Sequence, residues 1–284
     1  MNVVRSLQAY AADFEYVSGE TPLSSPLAPV IGLVVYLAVW PQLSRLYGVL
    51  HKKDDDAKKL ATAKAQRAFY KPFLFIHNMF LSLGSLVMLI GLIAGYSDQL
   101  QHETGIGGKV VRIVCDSGQP LFGKLQFWLW VFYLSKFYEF LDTVFLCVTM
   151  RPVIKLHWIH HVLTLIVAWI GLETKHTVMG LACVMNTFIH VIMYAYYAYK
   201  LIDPAFEPWW KQHLTKLQMR QFMINVVGLA AWTYMALYSE KNCTGELWVI
   251  YVVLAVMVVF LAMFSSFSKR TYKNKGKKRE NEGK

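Results

Sequence analysis

The sequence predicts an all-α fold, a multi-pass membrane bundle of seven transmembrane helices, and three observations carry that expectation. Hydrophobic residues make up 56% of the 284-residue chain and charged residues only 17%, below the roughly one quarter charged of a soluble domain. The apolar residues fall in long blocks, each near the roughly 17–25 residues that a helix needs to cross hydrocarbon. The 29 Lys and Arg concentrate between and after those blocks, where such residues orient spans and meet phosphorylated ligands or anionic headgroups. That placement argues against nucleic acid as a partner, which a net charge of +11 could otherwise suggest.

Residues 1–25 form an N-terminal segment rather than a cleavable signal peptide, because Asp13, Glu15 and Glu20 interrupt it and Ser24-Ser25-Pro26 closes it with a turn. The membrane domain then runs over 26–268. Span one, 26–47, carries no polar group at depth and is expected at the periphery. Span two, 73–96, follows a basic connection and holds His77 and Asn78 just inside. Span three, 125–148, carries Lys136, Glu139, Asp142 and Thr143 towards its end, spaced mainly by three so that they drift along one helix face. Span four, 156–172, begins with His157, His160 and His161. In span five, 178–199, Asn186, His190, Met193, Tyr194 and Tyr197 follow the rhythm of one helix face, while Tyr196 and Tyr199 read as interfacial anchors. Thr215, Gln218 and Gln221 repeat at three across the start of span six, 217–237. Span seven, 247–267, leads into a basic, solvated cytosolic tail over 269–284.

Charge sets the orientation. Connections one, three and five together with the tail hold 21 Lys and Arg, and the opposite side holds six. The C-terminus is therefore expected in the cytosol and the N-terminus on the lumenal or external side. Because successive helices alternate in direction, every polar group named above falls in the cytosolic half of the membrane. Ionisable groups inside spans face the bundle interior or a wet cavity. Spans two to six are accordingly expected to line a polar chamber open to the cytosol.

On the opposite side Cys115 and Cys243 occupy two loops in a compartment that permits disulfides, and they are a candidate bridge. Cys147 and Cys183 lie within spans and read as small buried apolar residues. Asn242-Cys243-Thr244 fits a glycosylation sequon formally, but its closeness to the membrane and the candidate bridge argue against modification.

The stretch from Leu156 to His161 puts three imidazoles on one side of a helix. Burying them without partners would cost roughly 2–7 kcal/mol per polar group, so the cluster points to a site. A lone His77 is explained equally by a hydrogen bond to a neighbouring helix, and Lys136 with Glu139 by an ion pair that fixes packing. Two chemistries use clustered histidines. Metal binding suits the three- and four-residue spacing, but a membrane di-iron oxygenase needs more ligand boxes than one cluster with isolated His77 and His190. Acid–base and nucleophilic catalysis needs one imidazole to take a proton or an acyl group while neighbours and a carboxylate set its tautomer and charge. A seven-helix receptor or transporter also stays open, since span number says little about function.

Lys136-x-x-Glu139-x-x-Asp142-Thr143, His157-x-x-His160-His161, Asn186-x-x-x-His190-x-x-Met193-Tyr194-x-Tyr196-Tyr197 and Thr215-x-x-Gln218-x-x-Gln221-Phe222 resemble, in order, the four boxes of the very-long-chain fatty acid elongase (ELO) family. His77-Asn78 and the basic tail are similar to its layout, and the likeness covers six of the seven spans. The resemblance implies a fatty acid biosynthesis enzyme of the endoplasmic reticulum membrane, an acyltransferase that condenses a long-chain acyl-CoA with malonyl-CoA to 3-oxoacyl-CoA, CoA and carbon dioxide. The tail ends Glu282-Gly283-Lys284 without a clean dilysine retrieval signal, so that residence rests on the resemblance.

The resemblance further implies an acyl-chain tunnel within spans two to seven and chemistry with no metal or redox cofactor. His160 and His190 match the histidines proposed for covalent or base chemistry, with His157 and His161 beside them as catalytic candidates. Glu139 and Asp142 would orient imidazoles. Lys136, Asn186, Tyr194, Tyr197, Gln218, Gln221, His77 and Asn78 would bind substrate, and Lys155, Lys200, Lys211 and Arg220 would meet CoA phosphates. Membrane lipid and the reductases and dehydratase of the elongation cycle are the implied partners. Neither acyl chain length, unsaturation nor oligomeric state is fixed by the sequence.

Overall fold

The structure, a computed structural model, describes residues 6, 9–50, 56–116, 121, 123–239 and 242–273. Among the described residues the chain is helical and without strands: α1 Leu27–Leu50, α2 Asp56–Leu100, α3 Gly105–Val114, α4 Gly123–Tyr138, α5 Leu141–Val148, α6 Lys155–Glu173, α7 Val178–Ile202, α8 Lys211–Tyr238 and α9 Leu247–Ser268, the last running into a π-helical turn, Lys269–Lys273. The rest of the expected tail and residues 1–5, 7 and 8 of the N-terminal segment lie outside the described residues.

Among the described residues five helices are long and apolar enough to cross a membrane: Leu27–Tyr47, Leu60–Leu100, Lys155–Glu173, Val178–Ile202 and Leu247–Tyr272. Their outward faces carry exposed Val, Ile, Leu and Phe side chains, as in Val34, Ile76 and Val258, a pattern suited to lipid rather than water. The two other expected spans depart for different reasons. Span three is split: α4 and α5 have 16 and eight residues, and between them Phe140, Asp142 and Thr143 donate their N–H groups three residues back, to Phe137, Glu139 and Phe140. Such tightening marks an interrupted helix, and it sets Glu139 at the interruption. Span six is the continuous 28-residue α8, but Lys211, Lys216, Gln218, Arg220, Gln221 and Asn225 reduce its apolar character.

α2 has 45 residues and starts at Asp56, well before the expected span at 73, because 57–68 is rich in the strong helix formers Ala, Lys, Leu and Gln. Small residues let its apolar part approach its neighbours. A Cβ on Gly95 would lie 2.6 Å from Leu125 Cα in α4, and one on Gly180 of α7 would lie 2.1 Å from the Tyr96 hydroxyl.

The N-terminal segment is strapped across the ends of α4 and α6. Phe14 and Tyr16 are buried, Gln126 Oε1 accepts the Tyr16 N–H at 2.8 Å, and the Tyr16 hydroxyl donates to Glu173. Trp130, Tyr133 and Trp169 donate to the carbonyls of Pro22, Leu23 and Ser24 at 3.0, 2.8 and 3.0 Å. Aromatic rings are thus packed while their polar tips are satisfied. On the same side the second connection, expected to be a loop, contains α3. A disulfide between Cys115 and Cys243, with Cα atoms 4.7 Å apart, ties the end of α3 to the turn before α9.

Candidate active site

The polar groups of the helices meet around one cavity of about 410 Å³. Three networks build its wall, each anchored near the α4–α5 interruption. In the first turn of α5, Asp142 accepts from His77 Nε2 through Oδ1 and from the Tyr194 hydroxyl through Oδ2, both at 2.7 Å. His161 Nε2 lies 3.9 Å from Oδ2. With its Nε2 proton given to Asp142, His77 presents Nδ1 to the Tyr138 hydroxyl at 3.3 Å.

The second network centres on Glu139. Its Oε1 accepts from Lys136 Nζ at 2.6 Å and from Ser135 Oγ at 3.2 Å, and His190 Nδ1 lies 3.7 Å away. Lys136 Nζ also reaches Asn186 Oδ1 at 3.4 Å and stands 4.1 Å above the Phe132 ring. Lys136 is 2% exposed and stands behind Glu139 rather than on the cavity wall. Because Asn186 spends its carbonyl on that lysine, its amide N–H groups are left for the cavity.

The third network comes from a helix expected to be a bystander. Tyr36 of α1 places its hydroxyl 2.8 Å from Thr143 Oγ1, which in turn lies 2.8 Å from His157 Nε2. α1 is peripheral by exposure, yet through Tyr36 it orients one of the clustered imidazoles.

His160 stands apart from these networks. Its ring packs on Phe260 with centroids 4.9 Å apart, and its Nδ1 is buried without a hydrogen-bond partner among the described residues. It borders both the polar chamber and a second, mainly apolar cavity of about 100 Å³ between α6, α7, α8 and α9. Ala168, Gly171 and Ala182 leave room along that cavity, and His176 borders it in the loop before α7. Asn186 and Gln221 likewise border both spaces. His160, Asn186 and Gln221 therefore mark the junction between a polar room and an apolar one.

The remaining sequence candidates fall as follows. Asn78, His157, His161, His190, Tyr194, Tyr197, Gln218 and Gln221 all border the chamber. Tyr197 is partly outside, at 45% exposure, whereas Tyr196, read as an anchor, is buried and also on the chamber wall. Gln218 makes only a weak contact, 3.6 Å from Nε2 to Met193 Sδ. Of the basic residues expected at phosphates, Lys200 and Lys211 border the chamber; Lys155 and Arg220 do not, and Arg151 takes a place there. α9 contributes Phe264 and the π-turn Tyr272, so the wall extends beyond spans two to six. Asn225, four residues and one turn beyond Gln221 and lining the apolar cavity, was missed although it falls on the same helix face as Gln218 and Gln221.

The sequence pattern of the ELO: GNS1/SUR4 family matches residues 21–280. Fatty acid elongase sre1 of Dictyostelium discoideum is 31% identical over 283 residues, 98% of this chain and 96% of that protein. Fatty acid elongase A of the same organism is 30% identical over 270 residues, 92% of this chain and 89% of that protein. Very long chain fatty acid elongase 7 of Drosophila melanogaster is 36% identical over 191 residues, 62% of this chain and 56% of that protein. With the four boxes gathered at one cavity, the family pattern spanning residues 21–280 and the two Dictyostelium relatives alike over nearly their whole length, the chain belongs to the ELO: GNS1/SUR4 family.

Proposed function

We propose that the protein is the condensing enzyme of fatty acid elongation, a 3-oxoacyl-CoA synthase that joins a long-chain acyl-CoA with malonyl-CoA. The observation that carries this reading is the place of His160, on the wall shared by a polar chamber and an apolar cavity. A thioester sits at such a boundary: a hydrocarbon tail on one side, a phosphorylated nucleotide on the other. Burying the tail contributes about 0.8 kcal/mol per CH₂, which positions the carbonyl carbon beside the imidazole.

In the first half-reaction a ring nitrogen of His160 forms a bond to the acyl carbon and the C–S bond breaks. CoA leaves as its thiol, taking the imidazole proton. In the second, the bond from malonyl C2 to its carboxylate breaks, and carbon dioxide departs. The electron pair left behind forms an enolate, whose carbon bonds to the acyl carbon as the N–acyl bond breaks. A proton from solvent restores the imidazole. His190, beside Glu139, assists the malonyl step. The amide N–H groups of Asn186 and Gln218 donate to the oxyanion or carboxylate, where donors aimed at developing charge lower the barrier most. Asp142 and Thr143 hold the surrounding imidazoles and act as positioning residues.

This reading extends the apolar cavity into an acyl-chain tunnel, counts α4 with α5 and α8 as two further spans to make seven, and places the protein in the endoplasmic reticulum membrane with its C-terminus cytosolic. Its products pass to the reductases and dehydratase of the cycle. The test is condensation by purified protein given labelled malonyl-CoA and a panel of saturated to polyunsaturated acyl-CoAs. Malonyl-dependent 3-oxoacyl-CoA that is lost in His160→Ala supports the assignment. A folded protein that turns over none of the acyl-CoAs contradicts it.

A further inference from the structure

The apolar cavity beside His160 reaches the loop between α6 and α7, and its wall there is not wholly apolar. Four buried side-chain atoms of residues bordering this cavity have no hydrogen-bond partner among the described residues: His160 Nδ1, Gln221 Oε1, Asn225 Oδ1 and His176 Nε2. His160 and Gln221 also border the polar chamber, and Asn225 lies one turn of α8 beyond Gln221. His176 stands at the opposite end. Trp232, whose ring meets the His176 ring, follows Phe222 by ten residues on α8, and Phe222 packs on Phe260 beside His160. At 1.5 Å per residue the His176 imidazole is roughly 15 Å from His160 along the bundle, within the reach of a long acyl chain.

Local structure holds the imidazole there. α6 ends at Glu173, Lys175 takes a positive φ of 48°, and the His176 N–H returns to the Gly171 carbonyl at 2.9 Å, a helix-end turn that directs the chain back against the bundle. His176 is 3% exposed. Gly245 lets the turn before α9 close on its ring, since a Cβ there would lie 2.7 Å from His176 Cδ2. The neighbouring polar groups are engaged with one another. Thr177 Oγ1 and Trp232 Nε1 both donate to the Thr244 carbonyl, at 3.1 and 3.3 Å, which occupies its two lone pairs. The Thr244 N–H donates to Asp116 Oδ1 at 2.8 Å.

Burial lowers the His176 pKa to about 4, so the ring is neutral and offers one donor and one acceptor. A methyl chain end satisfies neither. A terminal carboxylate would bring a buried charge that a neutral imidazole does not balance. A hydroxyl, donor and acceptor at once, matches it. We propose that the far end of the apolar cavity is a hydroxyl seat, in which His176 hydrogen-bonds the terminal hydroxyl of an ω-hydroxyacyl-CoA, and that the enzyme prefers such chains to unsubstituted ones of equal length. That the occupant is an acyl-CoA rests on the condensing-enzyme reading.

The test uses the full-length protein in phosphatidylcholine nanodiscs, titrated calorimetrically with alkyl-CoA thioethers from dodecyl to octadecyl, each with and without an ω-hydroxyl. A thioether has no acyl carbon to transfer, so binding is read without turnover. At one chain length the hydroxylated thioether is expected to bind roughly tenfold more tightly, the scale of one buried hydrogen bond, and kcat/KM for the matching ω-hydroxyacyl-CoA exceeds that of its unsubstituted counterpart by a similar factor. His176→Phe, which keeps a ring on Trp232, reverses the order; His176→Gln, which keeps a donor and an acceptor, restores part of it. Equal or weaker binding of the hydroxylated thioether at every length means that trapped water serves the imidazole and overturns the proposal, as does a preference that survives in His176→Phe. A hydroxyl preference without condensation supports the seat and contradicts the condensing-enzyme reading, whereas condensation without the preference does the reverse.

Discussion

Replacing Lys136 with Met would take away the cation that meets Glu139 across 2.6 Å, where the two side chains are 2% and 3% exposed. Glu139 would keep one hydrogen-bond donor, Ser135 Oγ at 3.2 Å. A buried charge stripped of its partner costs about 3–5 kcal/mol. Glu139→Gln should cost a similar amount from the other side, because the Lys136 ammonium would keep only the Asn186 carbonyl at 3.4 Å, the Phe132 ring at 4.1 Å and the neutral Gln oxygen. The double variant removes both charges together, and such replacements are often close to neutral. Its cost should be about 1–2 kcal/mol, which leaves a coupling energy of at least roughly 4 kcal/mol. Equilibrium unfolding of purified protein in mixed micelles over a dodecyl sulfate titration would measure all three variants. Effects that add within about 0.5 kcal/mol would refute the claim that this pair is one stabilising unit. Condensation should not return with stability in the double variant, since His190 has lost the carboxylate beside it and Asn186 its anchor.

Other expectations follow from single contacts. Tyr36→Phe removes the hydroxyl that holds Thr143 against His157; it should cost about 0.5–1.5 kcal/mol and lower condensation, read by a thermal melt beside the activity assay. Gly180→Ala drives a methyl group to 2.1 Å from the Tyr96 hydroxyl, an overpacking worth about 1–3 kcal/mol; adding Tyr96→Phe should recover part of the melting temperature. Burial lowers the pKa of His176 from 6.5 to about 4, so the unfolded chain takes the proton first. The stability that depends on neutral His176 is complete above about pH 6.5 and is lost as pH falls towards 4, by up to about 3 kcal/mol. His176→Phe keeps a ring against Trp232, whose contact with His176 is 4.6 Å between centroids, and should flatten the stability profile between pH 6.5 and 4.

What the sequence made legible was the meeting of polar groups. Carboxylates, imidazoles and amides set in apolar segments must find one another, and helix direction alone brought His77, Asp142, His161 and Tyr194 to one depth. The α4–α5 interruption was hidden because the run from Phe137 to Phe145 carries neither Gly nor Pro to mark a break; hydropathy cannot register three i→i−3 hydrogen bonds. The early start of α2 was hidden because 57–68 is helical by propensity while carrying lysines. Tyr36 looked like one more ring in an apolar run, and only packing against Phe140, 4.1 Å between centroids, turns its hydroxyl towards Thr143. Three hydrogen bonds of the strap over α4 and α6 end on the main-chain carbonyls of Pro22, Leu23 and Ser24, acceptors that leave no residue pattern. Lys136 and Glu139 read as equals in the motif, and three dimensions separate the one behind from the one on the wall.

The claim at the centre of this account is that His160 carries the acyl group between the two half-reactions. The most direct measurement is a single turnover in which purified protein meets a labelled acyl-CoA with no malonyl-CoA present, followed by free-thiol titration and mass spectrometry of the peptide containing Leu156 to His161. The account predicts one equivalent of CoA released and an acyl mass on that peptide, discharged when malonyl-CoA is added and absent in His160→Ala. No release of CoA until malonyl-CoA arrives, or an acyl group on another residue, would contradict it.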